Sequence, residues 1–111
     1  MAGKFEVKRQ ASGKVGFALK ARNGRTILTG QAYADKSGAQ NGVRSVQENA
    51  AEDAKFERKA AKDGRPYFVL KAANGQVIGQ SQMYASARSM EKGIASVRRH
   101  ASDAEVDDQV E

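Results

Sequence analysis

Few side chains in this sequence could do chemistry, and most of them are cations. Lys8, Lys20, Lys59 and Lys71 fall in stretches with strand-like alternation, and Arg88, Lys92, Arg98 and Arg99 crowd the last amphipathic segment. Clustered Lys and Arg are the footprint of an anionic partner, nucleic acid above all, because each can neutralise a phosphate and release its counterion. At 100° per residue Arg88, Lys92 and Arg99 lie within about 40° of one another, so a helix there shows them on one side. The chain carries 19 Lys and Arg against 13 Asp and Glu, a formal charge of +6. Asp103, Glu105, Asp107, Asp108 and Glu111 all sit in the last nine residues, and without them the charge is +11. The plainer account of such a balance is solubility.

Other chemistries are poorly provided for. There is no Cys, which excludes disulfides and thiolate nucleophiles or ligands. His100 is the single histidine, so no second His or Cys stands ready to complete a transition-metal site. It is expected as a solvent-facing residue at a helix end, where a cation is favoured by the helix dipole. No Gly-x-Ser-x-Gly occurs, and Gly13-x-x-Gly16 has no Gly-Lys-Ser/Thr after it, so it reads as turn chemistry. Glu6 and Glu57 each have Lys at −2 and +2. Cross-strand ion pairs on an open sheet face, each worth ~0.2–1 kcal/mol, suit them better than acid/base catalysis. The expectation is a protein that is not an enzyme, with no catalytic, cofactor-binding or metal-binding residues and no cofactor. No apolar run approaches the ~20 residues of a membrane span. Met1-Ala2-Gly3-Lys4 does not open a signal peptide, since no apolar h-region follows. No membrane association and a cytoplasmic location are expected.

The elements that must position these groups come from an internal repeat. Shifted by 51 positions, the sequence falls on itself without a gap: Lys55-Phe56-Glu57 on Lys4-Phe5-Glu6, Phe68, Leu70, Lys71, Asn74 and Gly75 on Phe17, Leu19, Lys20, Asn23 and Gly24. Phe5 and Val7, then Val15, Phe17 and Leu19, alternate as strands with one buried face. Ser12-Gly13 and Asn23-Gly24 mark turns, the second a strong hairpin signal. A third strand follows from Thr26. A two-residue turn at Asn23-Gly24 puts Leu28 opposite Leu19, and a three-residue loop with a Gly24 bulge puts Ile27 there. Ile27 is preferred, since it matches Ile78 whereas Leu28 matches Gly79. Asp35 is an N-cap, and Ala39, Gly42, Val43, Val46 and Ala50 make the apolar stripe of a helix over about 36–49. Gly42 and its twin Gly93 suggest close helix-to-sheet packing. The second copy repeats this plan, with Asp63-Gly64 and Asn74-Gly75 as turns and Ser86 as cap. Arg58 replaces Val7, which makes that strand less buried or places it at an edge. Residues 1–102 therefore read as one α+β domain of two β-β-β-α repeats, about 3–50 and 54–101. They form a single antiparallel sheet with both helices on one face. Residues 103–111 read as an acidic, disordered tail, with a short added strand at Val106 and Val110 as the lesser alternative.

The string Phe-x-Leu-Lys-Ala-x-Asn-Gly, then Ile, Tyr and Gly-Val/Ile-x-Ser-Val, twice over, resembles the YegP-like family of small, mostly bacterial tandem-repeat proteins of uncharacterised function. The resemblance covers about residues 3–101. Arg98-Arg99-His100 departs from the more usual Lys-x-Asn ending, and the tail has no assignable family counterpart. The resemblance implies two β-β-β-α units joined through one sheet. It also implies that the strand after each helix crosses to the other unit, so that 55–60 ties the halves together. It transfers no activity.

The functional expectation is a small basic binding module. Nucleic acid is the first partner considered, approached through the open sheet face (Lys8, Lys20, Lys59, Lys71) or the second helix (Arg88, Lys92, Arg98, Arg99). The alternative is a structural or protein–protein interaction module acting through sheet face and edges. A monomer with internal pseudo-symmetry is expected rather than an obligate oligomer. The acidic tail reads first as a solubilising segment; the alternative is that it reaches the second helix and competes there with an anionic ligand.

Overall fold

The computed structural model describes residues 3–110. Met1 and Ala2, in the N-terminal reading, and Glu111, in the acidic tail, lie outside the described residues. In chain order the elements are β1 (Lys4–Arg9), β2 (Val15–Lys20), β3 (Thr26–Gly30), α1 (Lys36–Asn49), β4 (Phe56–Ala60), β5 (Pro66–Lys71), β6 (Val77–Gln80), α2 (Ala87–Ala101) and β7 (Glu105–Asp108). The strands make one sheet in the order β4-β5-β6-β3-β2-β1-β7. The expected α+β architecture of two β-β-β-α repeats is present. The sheet is mixed rather than wholly antiparallel, because β7 runs parallel to β1.

Two further expectations are corrected here. Residues 55–60 do not tie the halves together: β4 pairs only with β5 and forms one edge of the sheet. The halves join instead through β3 and β6, where Thr29 faces Gln80 and Gly30 faces Gly79. It is β7, after α2, that crosses to the other repeat. The tail is also not disordered as a whole. Its residues 105–108 lie on β1, with Glu105 N–H donating to Gly3 O at 3.3 Å and Gln109 N–H to Val7 O at 2.8 Å. Lys4 reaches Asp107 at 3.6 Å and Lys36 reaches Asp108 at 2.8 Å, so the acids meet bases along the edge they cover.

All four hairpins turn alike. In the first, Gly13 N–H donates to Gln10 O and Gln10 N–H to Lys14 O; in the second, Gly24 N–H donates to Ala21 O and Ala21 N–H to Arg25 O. Gly13, Gly24, Gly64 and Gly75 have φ of 86° to 89°, which makes each a three-residue loop with a glycine bulge. The register beyond Gly24 nevertheless differs from the preferred reading. The ladder shifts between Leu19 and Lys20, so Thr26 faces Lys20 and Leu28, not Ile27, faces Leu19. The extra residue is Ile27, and both Ile27 and Leu28 are buried.

One core fills the space between sheet and helices. It holds Phe5, Val7, Phe17, Leu19 and Leu28 with Phe56, Phe68 and Leu70, under Val46 of α1 and Val97 of α2. Asp35 and Ser86 cap their helices, their side chains accepting from Gly38 N–H at 2.8 Å and Ser89 N–H at 3.1 Å. The helix glycines have the packing reason expected of them. A Cβ on Gly42 would come within 2.8 Å of Phe17 Cε2, and one on Gly93 within 2.6 Å of Tyr84 Cζ. Tyr33 and Tyr84 stack on Phe17 and Phe68, centroids 6.3 and 6.2 Å apart, and fill the space the glycines leave.

Candidate anion-binding surface

The cations of the open sheet face are gathered around two carboxylates. Lys20 approaches Glu6 to 3.1 Å, Lys8 to 3.5 Å and Lys4 to 3.7 Å. Lys71 approaches Glu57 to 3.1 Å and Lys59 to 3.6 Å. The expected cross-strand pairs are those of Lys20 with Glu6 and Lys71 with Glu57; Lys4, Lys8 and Lys59 approach from the carboxylate's own strand. The hydrogen bond from Lys20 holds the Glu6 carboxyl below its ordinary range, and Lys71 does the same for Glu57. The two clusters occupy opposite ends of the sheet, one on β1 and β2 and the other on β4 and β5. The structure therefore does not bring Lys8, Lys20, Lys59 and Lys71 into one patch, and each cluster is partly neutralised.

The second helix differs. Its one acid, Glu91, is drawn away to Arg58 on β4, which it meets at 2.8 Å. Arg58 also bonds Asp53 at 2.9 Å and reaches the Phe56 carbonyl at 3.4 Å. Its guanidinium pKa is pushed up chiefly by Glu91. Arg98 is engaged too, donating to Ala51 O at 3.2 Å with Asp53 at 3.9 Å. Arg88, Lys92 and Arg99 are exposed, and among the described residues none has an acid within 4.0 Å. Of the eight cations named from sequence, these three make one unneutralised stripe. The tail's Asp107 and Asp108 engage Lys4 and Lys36, not Arg88, Lys92, Arg98 or Arg99. For these two acids the expected reach to α2 is corrected, whereas Asp103 lines one cavity with Arg99.

His100 is not the solvent-facing residue expected from its place at the helix end. It is 8% exposed. Its ring lines a cavity of about 530 Å³ together with Arg22, Asn23, Ser96, Arg99 and Asp103. The sequence places His100 at a helix end and gives no sign that Arg22 meets it there. The signal available was the repeat itself, since His100 matches Asn49 and Arg99 matches Glu48. No group of three or more His, Cys, Asp or Glu suited to a metal occurs among the described residues.

The duplicated β-β-β-α sheet defines a class of small tandem-repeat α+β proteins. A family model described as a domain of unknown function (DUF1508) matches residues 10–57 and again 61–108. The chain belongs to this family, and the second match takes in the β7 segment for which the sequence reading assigned no counterpart. A UPF0339 protein of Acinetobacter baylyi is 50% identical over 108 residues, covering 97% of each chain. The UPF0339 protein YegP of Escherichia coli K12 is 47% identical over 108 residues, covering 97% of this chain and 98% of its own. The solution structure of E. coli YegP, described as a protein of unknown function, superposes with a TM-score of 0.93 at 46% identity, covering 99% of this chain and 95% of that one. That of a UPF0339 protein from Shewanella oneidensis gives 0.92 at 43% identity, covering 99% and 93%. The resemblance to YegP-like proteins is thus established as membership. No helix among the described residues is long and apolar enough to cross a membrane.

Proposed function

We propose that the protein is a non-catalytic binding module that takes a polyanion, double-stranded nucleic acid in the first place, along the outer side of α2. The observation that carries this is the exposed stripe Arg88, Lys92 and Arg99, none of them with an acid within 4.0 Å among the described residues, the helix's own Glu91 being taken up by Arg58. Unneutralised cations gain most from a phosphate backbone, and such contacts read charge and spacing rather than sequence. Bound-state stacking is not part of this reading, because among the described residues the open face offers only Tyr67, opposite Lys59, as an aromatic platform. Glu6 and Glu57, held ionised by their lysines, supply balanced charge instead of a general acid.

Fluorescence anisotropy with a labelled 20-base-pair duplex tests this. Binding at 50 mM salt should weaken steeply by 200 mM, with a log–log slope of about −0.9 per phosphate contact. Changing Arg88, Lys92 and Arg99 together to Gln should abolish it, and changing Lys8 and Lys59 should not. Absence of binding at 50 mM salt, or binding indifferent to the triple change, overturns the reading.

A second reading rests on β4. It is the outermost strand at its end of the sheet and could accept an added strand from another protein. Arg58 weighs against it, since its guanidinium already lies on the Phe56 carbonyl. A nuclease-insensitive, salt-insensitive complex lost on inserting Pro into β4 would favour this second reading.

A further inference from the structure

The cavity at the C-terminal end of α2 carries chemistry that the fold does not require. His100 Nδ1 lies 2.8 Å from Ser96 O and 3.2 Å from Ser96 Oγ. A carbonyl oxygen only accepts, so Nδ1 carries the hydrogen. In the first repeat Asn49 does the same work: its Nδ2 donates to Ser45 O at 2.8 Å and to Ser45 Oγ at 3.3 Å. An amide is therefore enough to tie down this helix end. The imidazole adds a second nitrogen, Nε2, which has no hydrogen-bond partner among the described residues. No buried side-chain nitrogen or oxygen is left unpaired there, so Nε2 is reached by solvent, and the cavity is the opening that His100 lines.

The rest of the cavity points the same way. Arg22 comes from the β2–β3 tip and Arg99 from α2. At the matching positions of the other repeat stand Ala73 and Glu48. Two guanidiniums and an imidazole have thus been placed where the duplicate manages with an alanine, a glutamate and an asparagine. We propose that this cavity binds a tetrahedral oxyanion, the phosphate group of a phosphate monoester, between the Arg22 and Arg99 guanidiniums with His100 Nε2–H as a third donor. Planar guanidinium forks suit such an anion. The site does not rest on the polyanion reading of α2.

Charge decides the pH at which it works. Asp103 lines the same cavity from the turn after α2, and the helix C-terminus adds roughly half a negative charge. Arg99 lines the cavity from α2 itself and Arg22 from the hairpin. The adjoining cleft shares Arg22 and holds Lys4, Lys20 and Glu105. With the imidazole neutral, the two guanidiniums barely outweigh Asp103 and the helix end. Protonation adds a full charge and turns Nε2 from acceptor to donor. Binding should strengthen once the imidazole carries its second proton.

The experiment is a titration of the full-length protein with sodium sulfate, followed by NMR at pH 6.0 and pH 8.0 and constant ionic strength. Sulfate keeps its charge over this range, so only the protein titrates. Shifts should concentrate at Arg22, Asn23, Asp103 and the His100 ring, with Kd roughly tenfold lower at pH 6.0, the effect of about one strong charged donor. His100→Asn should stay folded, as Asn49 shows, and should erase the pH dependence. Arg22→Gln should weaken binding at both pH values while leaving Arg88 and Lys92 in place for any polyanion. Phenyl phosphate and a 5′-phosphorylated trinucleotide should each displace sulfate, the relative potency telling a small metabolite from a nucleic-acid end. Sulfate shifts that miss this cavity at pH 6.0, a pH dependence that survives His100→Asn, or equal displacement by the unphosphorylated trinucleotide overturns the proposal.

Discussion

Lys20 on Glu6 and Lys71 on Glu57 are equivalent pairs, each 3.1 Å long, on the solvent side of the sheet. Both carboxyls titrate below their ordinary values, mainly through those hydrogen bonds. A depressed folded pKa contributes stability that is complete above the unfolded value, near ~4.3, and is lost as pH falls through the folded one. Melting temperature should therefore hold from pH 7 to about 5 and fall below about 4. Thermal melts of Glu6→Gln and Glu57→Gln should show a shallower acid limb than the parent; parallel curves would mean the pairs contribute nothing. These pairs and the two N-caps were legible, because alternation and spacing put the partners on one face. His100 was not, because a helix end says nothing of what folds over it from 80 residues away. Leu28 was misread for a related reason. The register was inferred from likeness between repeats, yet a Cβ on Gly79 would lie 2.7 Å from Leu28 Cδ2. Beside the line where the repeats meet, one large side chain fills the space for both, so likeness fails there.

At the scale of elements, β7 shows what composition cannot see. An acidic segment buries little on its own account, which is why it read as disordered. It needs to bury little, since the outward carbonyls of β1 are already fixed and waiting for donors. Ala104 is buried, and Asp107 and Asp108 pair with Lys4 and Lys36. Deleting residues 104–111 should lower the melting temperature by on the order of 5 °C or more, each kcal/mol being worth ~4–8 °C in a domain of this size. The gap should narrow in high salt, where exposed pairs are screened. Calorimetry showing no change would return the segment to a solubilising role. The hairpins were legible because each carries its glycine; the bulge at Ile27 carries no such mark.

At the scale of the molecule, the repeats meet through antiparallel β3 and β6 with both helices on one face, which relates them by an approximate two-fold axis. Helix α1 reaches β5 and β6, and α2 reaches β3, so neither half closes a core alone. The full chain should unfold in one transition. Residues 1–53 alone should be unfolded or dimeric; sedimentation of a well-folded monomer would end the shared-core account. Lys55, Phe56 and Glu57 announced the duplication, but a repeat in sequence does not say how its copies are related in space. That relation limits growth. Copies related by translation can be appended without end, each offering the next the edge it received. A two-fold spends the joining edge of both partners in one encounter. What remains outside is β7 with its acids at one end, and β4 under the Arg58 guanidinium at the other. A third copy of this gene segment would meet those two edges and not the one through which the first two joined.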